Sequence, residues 1–175
     1  MRRTLFLLTC AAATALSTSF ASATMLITAD RGGLIIDYVE RFLEARASGE
    51  PVVIDGPCLS ACTLVVGVLP RGQVCATPKA VLGFHAAWRP TAGGGRVGSY
   101  AATRAMMDVY PADLRSWIGR HGGLTPRLIV LRGRELAAMV PACGSATTLA
   151  ASATRAPRVL SSDTARARFD AQQAR

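Results

Sequence analysis

Aromatic residues and lysine are scarce in this sequence. Only 6% of the 175 residues are Phe, Trp or Tyr, although half of the residues are hydrophobic. The 20 basic side chains outnumber the 11 acidic ones. Nearly all of the basic residues are arginines, since Lys79 is the only lysine. The arginines are scattered and are not interleaved with aromatic residues, as they are in many nucleic-acid-binding surfaces. The sequence therefore predicts no nucleic-acid partner.

Histidine is rarer still. His85 and His121 are the only two, and neither forms with the cysteines the short, regular ligand spacing of a zinc site. The sequence predicts neither a metal site nor a bound cofactor.

No apolar run reaches the roughly 20 residues that a membrane-spanning helix needs. Residues 5–16 are apolar and rich in alanine, follow Arg2 and Arg3, and precede the small residues at 21–23. This pattern is typical of a secretory signal peptide. We predict a signal over residues 1–23 that is cleaved before Thr24, a periplasmic or secreted protein and no stable membrane anchor. An uncleaved N-terminal anchor is the alternative.

Four cysteines follow the predicted signal. An even number of cysteines in an exported chain predicts two disulfides. Cys58 and Cys62 are only four residues apart, so we expect each to bond to a distant partner. One would pair with Cys75 and the other with Cys143, and their spacing leaves open which pairs with which.

Hydrophobic periodicity predicts an alternation of short strands and helices. The predicted strands are 25–28, 52–54, 74–76 and 81–84, and the predicted helices are 34–47, 60–69, 99–109, 113–120 and 134–140. Such alternation favours a single α/β domain over residues 24–145, with a mostly parallel sheet and crossover helices. Residues 91–98 are predicted to be a mobile loop, 126–131 fit either a helix or a strand, and 146–175 are predicted to be a disordered tail.

The chemically suggestive residues follow the predicted strands. Ser60 lies in GPCLSACT between a strand and an apolar helix, and His85 lies in GFHAA at the end of a later strand. Backbone N–H groups at a helix N-terminus stabilise an oxyanion, and a histidine within reach activates a serine. The turn at Gly32 and Gly33 follows the first strand. Because sites form beyond the carboxyl ends of parallel strands, we expect these residues to meet at one edge.

These motifs, DRGG, DGPCLSACT and GFHAA, resemble the proteolytic subunit of the Clp protease, which has a crotonase-like fold. The shared features are a Gly-Gly turn, a serine among small residues and a histidine 25 residues later. The resemblance is closest to exported Clp-peptidase-like proteins with the pattern Cys-x-Ser-Ala-Cys-Thr. It covers residues 25–87 and extends weakly to Cys143.

The resemblance implies an exported serine hydrolase, a peptidase that forms an acyl-enzyme on Ser60 with His85 as general base. It assigns the oxyanion hole to the backbone N–H groups of Gly33 and Ala61. The late Asp of the family has no counterpart here, and Glu135 is the acidic residue nearest to its place. Asp108 and Asp113 are reserves for that role. The implied partner is a peptide or protein substrate, and the resemblance allows an oligomer.

Each of these residues also has a purely structural interpretation. Ser60 fits a helix N-cap, His85 a core histidine bonded to a backbone carbonyl, and Glu135 a solvated charge on a helix. The alternative function is then a non-catalytic binding or scaffold protein on the same fold. The fold also hosts acyl-CoA enzymes, but export argues against that activity because coenzyme A is an intracellular cofactor.

Overall fold

Strands and helices alternate along the first part of the chain, as the hydrophobic pattern predicts. The computed structural model describes residues 24–144. The predicted signal at 1–23 and the predicted tail at 146–175 lie outside the described residues, and so does residue 145. The strands are β1 (Met25–Ile27), β2 (Val52–Ile54), β3 (Pro57–Leu59), β4 (Val74–Ala76), β5 (Val81–Phe84), β6 (Trp88–Pro90), β7 (Arg96–Gly98) and β8 (Ile129–Arg132).

The helices agree closely with the periodicity. They are α1 (Ile35–Ser48), α2 (Val65–Val68), α3 (Tyr100–Val109), α4 (Ala112–Arg120) and α5 (Gly133–Met139), and a 3₁₀ helix at Ser60–Leu64 leads directly into α2. Helix α1 buries Val39 and Phe42 on the face that the apolar spacing marks. It ends at Gly49, whose left-handed backbone (φ 73°) donates its N–H to the last carbonyls of the helix.

The strands form two small sheets and a hairpin. The first sheet has the order β1-β2-β4 and is parallel throughout. The second has the order β3-β5-β8, in which β3 and β5 are parallel and β8 is antiparallel to β5. Strands β6 and β7 form an antiparallel hairpin. The predicted α/β class is confirmed, and the expectation of a mostly parallel sheet is confirmed for the first sheet but not for β8 or the hairpin.

The differences from the predicted strands have local causes. Strand β3 begins at Pro57, and a proline argues against a strand, so the sequence gives little sign of it. Strands β6 and β7 are exposed throughout, so burial imposes no pattern on them. The glycine-rich segment predicted as a loop contains the turn of this hairpin, where Thr91 N–H donates to the Gly95 carbonyl at 3.0 Å.

The core lies between the sheets and the helices. Phe84 of β5 packs edge-on against Tyr110, with ring centroids 5.5 Å apart, and also contacts Trp117 of α4. All three side chains are almost fully buried. Burial of one large side chain contributes about 2 kcal/mol of hydrophobic free energy. This packing holds the end of β5 firmly in place.

Two disulfides are present, as predicted, but the predicted pairing is wrong. Cys58 bonds to Cys62, with Cα atoms 5.3 Å apart, because the chain folds back sharply between β3 and the 3₁₀ helix. Cys75 bonds to Cys143, whose segment is held beside β4 by a bridge between Ala76 and Ala142. Within residues 24–144, no helix is long and apolar enough to cross a membrane.

Candidate functional site

Ser60 adopts an unusual backbone conformation. Its φ is 58°, and it is the only non-glycine residue within 24–144 that has a positive φ. Such a conformation costs about 1–3 kcal/mol and is found where surrounding structure enforces it, often at functional sites. A serine on a sharp strand-to-helix turn of this kind presents its hydroxyl at the end of a strand. The helix N-cap is Leu59, without a side-chain capping bond, so the hydroxyl of Ser60 does not cap the helix.

Covalent and hydrogen bonds hold this turn on both sides. The Cys58–Cys62 disulfide spans it, and both cysteines are fully buried. The Thr63 hydroxyl donates to the Ser60 carbonyl at 2.6 Å. Because that bond uses the only hydroxyl proton of Thr63, Tyr110 donates its own to Thr63 Oγ1, also at 2.6 Å. Burial raises the pKa of Tyr110.

The turn after β1 lies directly against Ser60. Gly32 has φ 78°, and a Cβ at this position would lie 2.6 Å from Ser60 Cβ and 2.9 Å from Ala61 N. Asp30 fixes the turn, since its Oδ1 accepts bonds from Gly32 N–H at 2.8 Å and from Tyr38 OH at 2.5 Å. Burial, together with the hydrogen bond to Asp30, raises the pKa of Tyr38 to about 12.

Two backbone N–H groups remain free beside Ser60. Asp30 takes the N–H of Gly32, whereas those of Gly33 and Ala61 donate to no other group among residues 24–144. Ala61 is the second residue of the 3₁₀ helix, where an N–H has no intrahelical partner. Ala61 follows Ser60 directly, and Gly33 follows the glycine that packs against Ser60, so both predicted donors belong to the two segments that meet at this turn.

His85 follows the strand that neighbours the one before Ser60. In the parallel pairing of β3 and β5, Leu59 lies opposite Gly83, so Ser60 and His85 leave the same edge one residue apart in register. Neighbouring strands lie about 4.8 Å apart. The His85 Nδ1 lies 2.7 Å from the Ala86 carbonyl, which can only accept, so in the neutral imidazole Nδ1 carries the proton and Nε2 is the nitrogen that can accept one. Among the described hydrogen bonds, none joins Ser60 directly to His85.

No carboxylate in the described part of the chain bonds to His85. Strand β8 pairs with β5 so that Phe84 lies opposite Ile129, the last pair of this ladder, and no residue of β8 is acidic. Glu135 is exposed in the first turn of α5 and has no hydrogen bond or ion pair within 24–144. The orienting role of Glu135 therefore stays a prediction. Of the reserves, Asp113 pairs with Arg71, and Asp108 is exposed on α3.

A cavity of about 290 Å³ opens beside His85. The hairpin forms one wall, and Arg96 stacks on Trp88 there, with its Cζ 4.1 Å from the ring centroid. The lining residues are His85, Ala86, Ala87, Trp88, Arg96, Gly98 and Pro126. The cavity thus combines the imidazole with one guanidinium and an apolar wall.

Sequence reasoning missed the residues that support the turn. For Asp30 the sequence does contain a signal, because an Asp two positions before a glycine is typical of an Asx-turn. Tyr38 and Tyr110 occupy apolar helix-face or helix-end positions, and no local signal reveals the partners of their hydroxyls. Within residues 24–144, no group of three or more His, Cys, Asp or Glu side chains is placed to hold a metal ion.

No protein-family model matches the chain, and no curated protein matches it either. Function is therefore inferred from the motifs and from the geometry around Ser60.

Proposed function

We propose that the protein is an exported serine hydrolase, a peptidase that acts through an acyl-enzyme on Ser60, with the crotonase-like fold that its motifs resemble. The observation that carries the proposal is the left-handed backbone of Ser60 after the end of β3, next to the strand that His85 directly follows. A buried disulfide and a buried hydrogen-bond chain maintain this conformation. A serine with only a structural role has no need of such support.

In the proposed reaction, Ser60 Oγ attacks the carbonyl carbon of a peptide bond while His85 Nε2 accepts the hydroxyl proton. The negative oxygen of the tetrahedral intermediate accepts hydrogen bonds from the N–H groups of Gly33 and Ala61. Removal of one such donor from a serine hydrolase typically slows the reaction by about 10²–10³-fold. His85 then protonates the leaving amine, and a water molecule hydrolyses the ester through the same steps, which regenerates Ser60.

The proposal makes His85 part of a dyad. The Ala86 carbonyl holds the proton on Nδ1, which is the task that a carboxylate performs in a triad. A carbonyl carries only a partial negative charge, so it stabilises the imidazolium less than a carboxylate would. We therefore expect slower turnover than a complete triad provides.

Labelling with a fluorophosphonate probe tests this function. The oxidised protein should be labelled at one site, and Ser60→Ala should abolish the label while Ser116→Ala, an exposed helix serine, keeps it. His85→Ala should slow labelling strongly, and His121→Ala should not, although His121 is the only other histidine. Wild-type protein that stays unlabelled from acid to alkaline pH would overturn the proposal.

A non-catalytic peptide-binding protein is the second candidate. The observation that favours it is that no carboxylate among residues 24–144 forms a hydrogen bond or ion pair with His85. In that case a peptide binds equally to wild type and to Ser60→Ala, and neither protein reacts with the probe.

We also propose that the protein works in the periplasm or outside the cell. Both disulfides support this location, because structural disulfides persist mainly in oxidising compartments. N-terminal sequencing of the exported protein should find Thr24 as its first residue. A protein that remains uncleaved and cytoplasmic would contradict this.

A further inference from the structure

The hairpin wall of the cavity beside His85 contains a guanidinium that has no acidic partner. Arg96 forms no ion pair or side-chain hydrogen bond with any residue in 24–144. Its described contact is the stack on Trp88. No carboxylate lines the cavity. An anion that enters would find a positive charge without competition from the protein itself.

The contact with Trp88 holds the guanidinium of Arg96 in the hairpin wall. In the hairpin register Trp88 lies opposite Gly98, and Arg96 is its diagonal neighbour on the same face. A guanidinium lying over an aromatic ring keeps its N–H groups free at the edge of its plane, in the fork that matches a carboxylate.

The unpaired charges named here all have the same sign. Arg31 adjoins Gly32, Arg127 adjoins the cavity residue Pro126, and both arginines are exposed without an ion pair among the described residues. Asp30, in the turn that packs against Ser60, already accepts bonds from Gly32, Tyr38 and Arg41. The surroundings therefore attract anionic groups and repel cationic ones.

From this arrangement, we propose that Arg96, held by Trp88, binds a carboxylate of the peptide beside the bond that Ser60 cleaves. The carboxylate belongs either to an acidic side chain or to a free C-terminus. The cleavage by Ser60 rests on the proposed function, but the binding of the carboxylate by Arg96 does not. Arg96 and Trp88 thus determine specificity and do not take part in the chemistry.

Two matched fluorophosphonate probes, one with a carboxylate tail and one with a carboxamide tail, test this inference. At low salt the carboxylate probe should label wild type about fivefold faster, which is the factor for an exposed ion pair of about 1 kcal/mol. Arg96→Gln should remove this preference. Arg89→Gln should keep it, because Arg89 is exposed on the other face of the same hairpin and does not line the cavity. Equal labelling of wild type by both probes would overturn the inference and leave the proposed function intact.

Calorimetry on Ser60→Ala provides a readout that is independent of hydrolysis. Acetyl-Ala-Ala-Ala-Glu-amide, the matching Gln peptide amide and the Gln peptide with a free C-terminus separate the two sources of the carboxylate. Tighter binding of the first identifies an acidic side chain, and tighter binding of the third identifies a C-terminus; either preference should vanish in Ser60→Ala/Arg96→Gln and weaken at high salt. This preference without any probe labelling would contradict the hydrolase and keep the subsite. Equal binding of all three peptides would overturn the subsite.

Discussion

Gly32 and Ser60 approach each other so closely that no side chain fits between them. A Cβ on Gly32 would lie 2.6 Å from both the Ser60 Cβ and the Leu59 carbonyl oxygen. We expect Gly32→Ala to push this turn away from Ser60 and to slow probe labelling about 100-fold, as a displacement of about 1 Å can do in an active site.

Gly49→Ala is the matched control for this change. Gly49 has almost the same backbone, φ 73°, but nothing lies within 4 Å of a Cβ placed there. Both variants should lose about 1–2 kcal/mol of stability from the left-handed conformation. Only Gly32→Ala should lose labelling, measured at a temperature where both variants are folded. Equal labelling of the two variants would show that the glycine turn does not position the site.

The short hydrogen-bond chain behind Ser60 leads to a second prediction. Thr63→Val removes the bond to the Ser60 carbonyl and leaves the buried Tyr110 hydroxyl without its acceptor, which should cost about 1–3 kcal/mol. Tyr110→Phe keeps the Thr63 bond and should cost only about 1 kcal/mol. Urea unfolding measures both losses, and labelling should slow more in Thr63→Val. If Tyr110→Phe were the more harmful of the two, the assigned donor direction would be incorrect.

Much of the site could be predicted because its residues follow strands directly. Ser60 and His85 each come within one residue of a strand end, so parallel pairing brings them to the same edge whatever the details of the loops. The glycine turn was recognisable for the same reason. Short apolar runs and helical spacing are local properties, and they identified all five helical regions.

The rest depends on contacts between distant segments. The Cys58–Cys62 bond requires the sharp turn at Ser60, and no propensity scale predicts a left-handed serine. The partner of Tyr110 is Thr63, which lies 47 residues earlier in the chain. The exposed hairpin has no buried face, so its pattern contains no signal of a strand. Tertiary contacts decide these features, and a single sequence does not reveal them.

The Cys75–Cys143 disulfide should contribute more to stability, and the Cys58–Cys62 disulfide should contribute more to activity. Their sequence separations are 4 and 68 residues. In the chain-entropy account, removal of the short loop costs about 2 kcal/mol and removal of the long one about 4 kcal/mol. We expect Cys75→Ala/Cys143→Ala to unfold at lower urea concentration than Cys58→Ala/Cys62→Ala. Labelling of Ser60 should instead fall further in Cys58→Ala/Cys62→Ala, because the disulfide that this variant lacks spans the serine turn. Labelling losses that simply follow stability would contradict this separation of roles.

Glu135 offers a direct test of the dyad. Because it is exposed and has no described bond to His85, Glu135→Gln should change the labelling rate by less than about twofold. If Glu135 oriented His85 as in a triad, the same change would cost about 10⁴-fold. The control is Glu44→Gln, an exposed acidic residue on α1. A large loss confined to Glu135→Gln would restore the triad and remove the role of the Ala86 carbonyl.

Tyr38 predicts how stability depends on alkaline pH. Burial and the bond to Asp30 raise its pKa to about 12, so the folded protein keeps this phenol protonated where an unfolded chain, with a pKa of about 10, has lost the proton. The unfolded state then binds fewer protons, and stability must fall as the pH rises from about 10 to about 12. Below about pH 10 the contribution is fully present.

Tyr38→Phe has no proton to lose, so its stability should fall less than that of wild type between about pH 8 and about pH 11. Tyr110 also has a raised pKa, but both proteins contain it, so its effect on stability cancels when the two are compared. Urea midpoints of the two proteins at matched pH values measure this difference. At the lower pH the variant should be the less stable protein, because Asp30 loses a hydrogen bond there. Parallel loss of stability in both proteins would mean that the Tyr38 phenol is not bonded to Asp30, and the turn at Gly32 would then need another anchor.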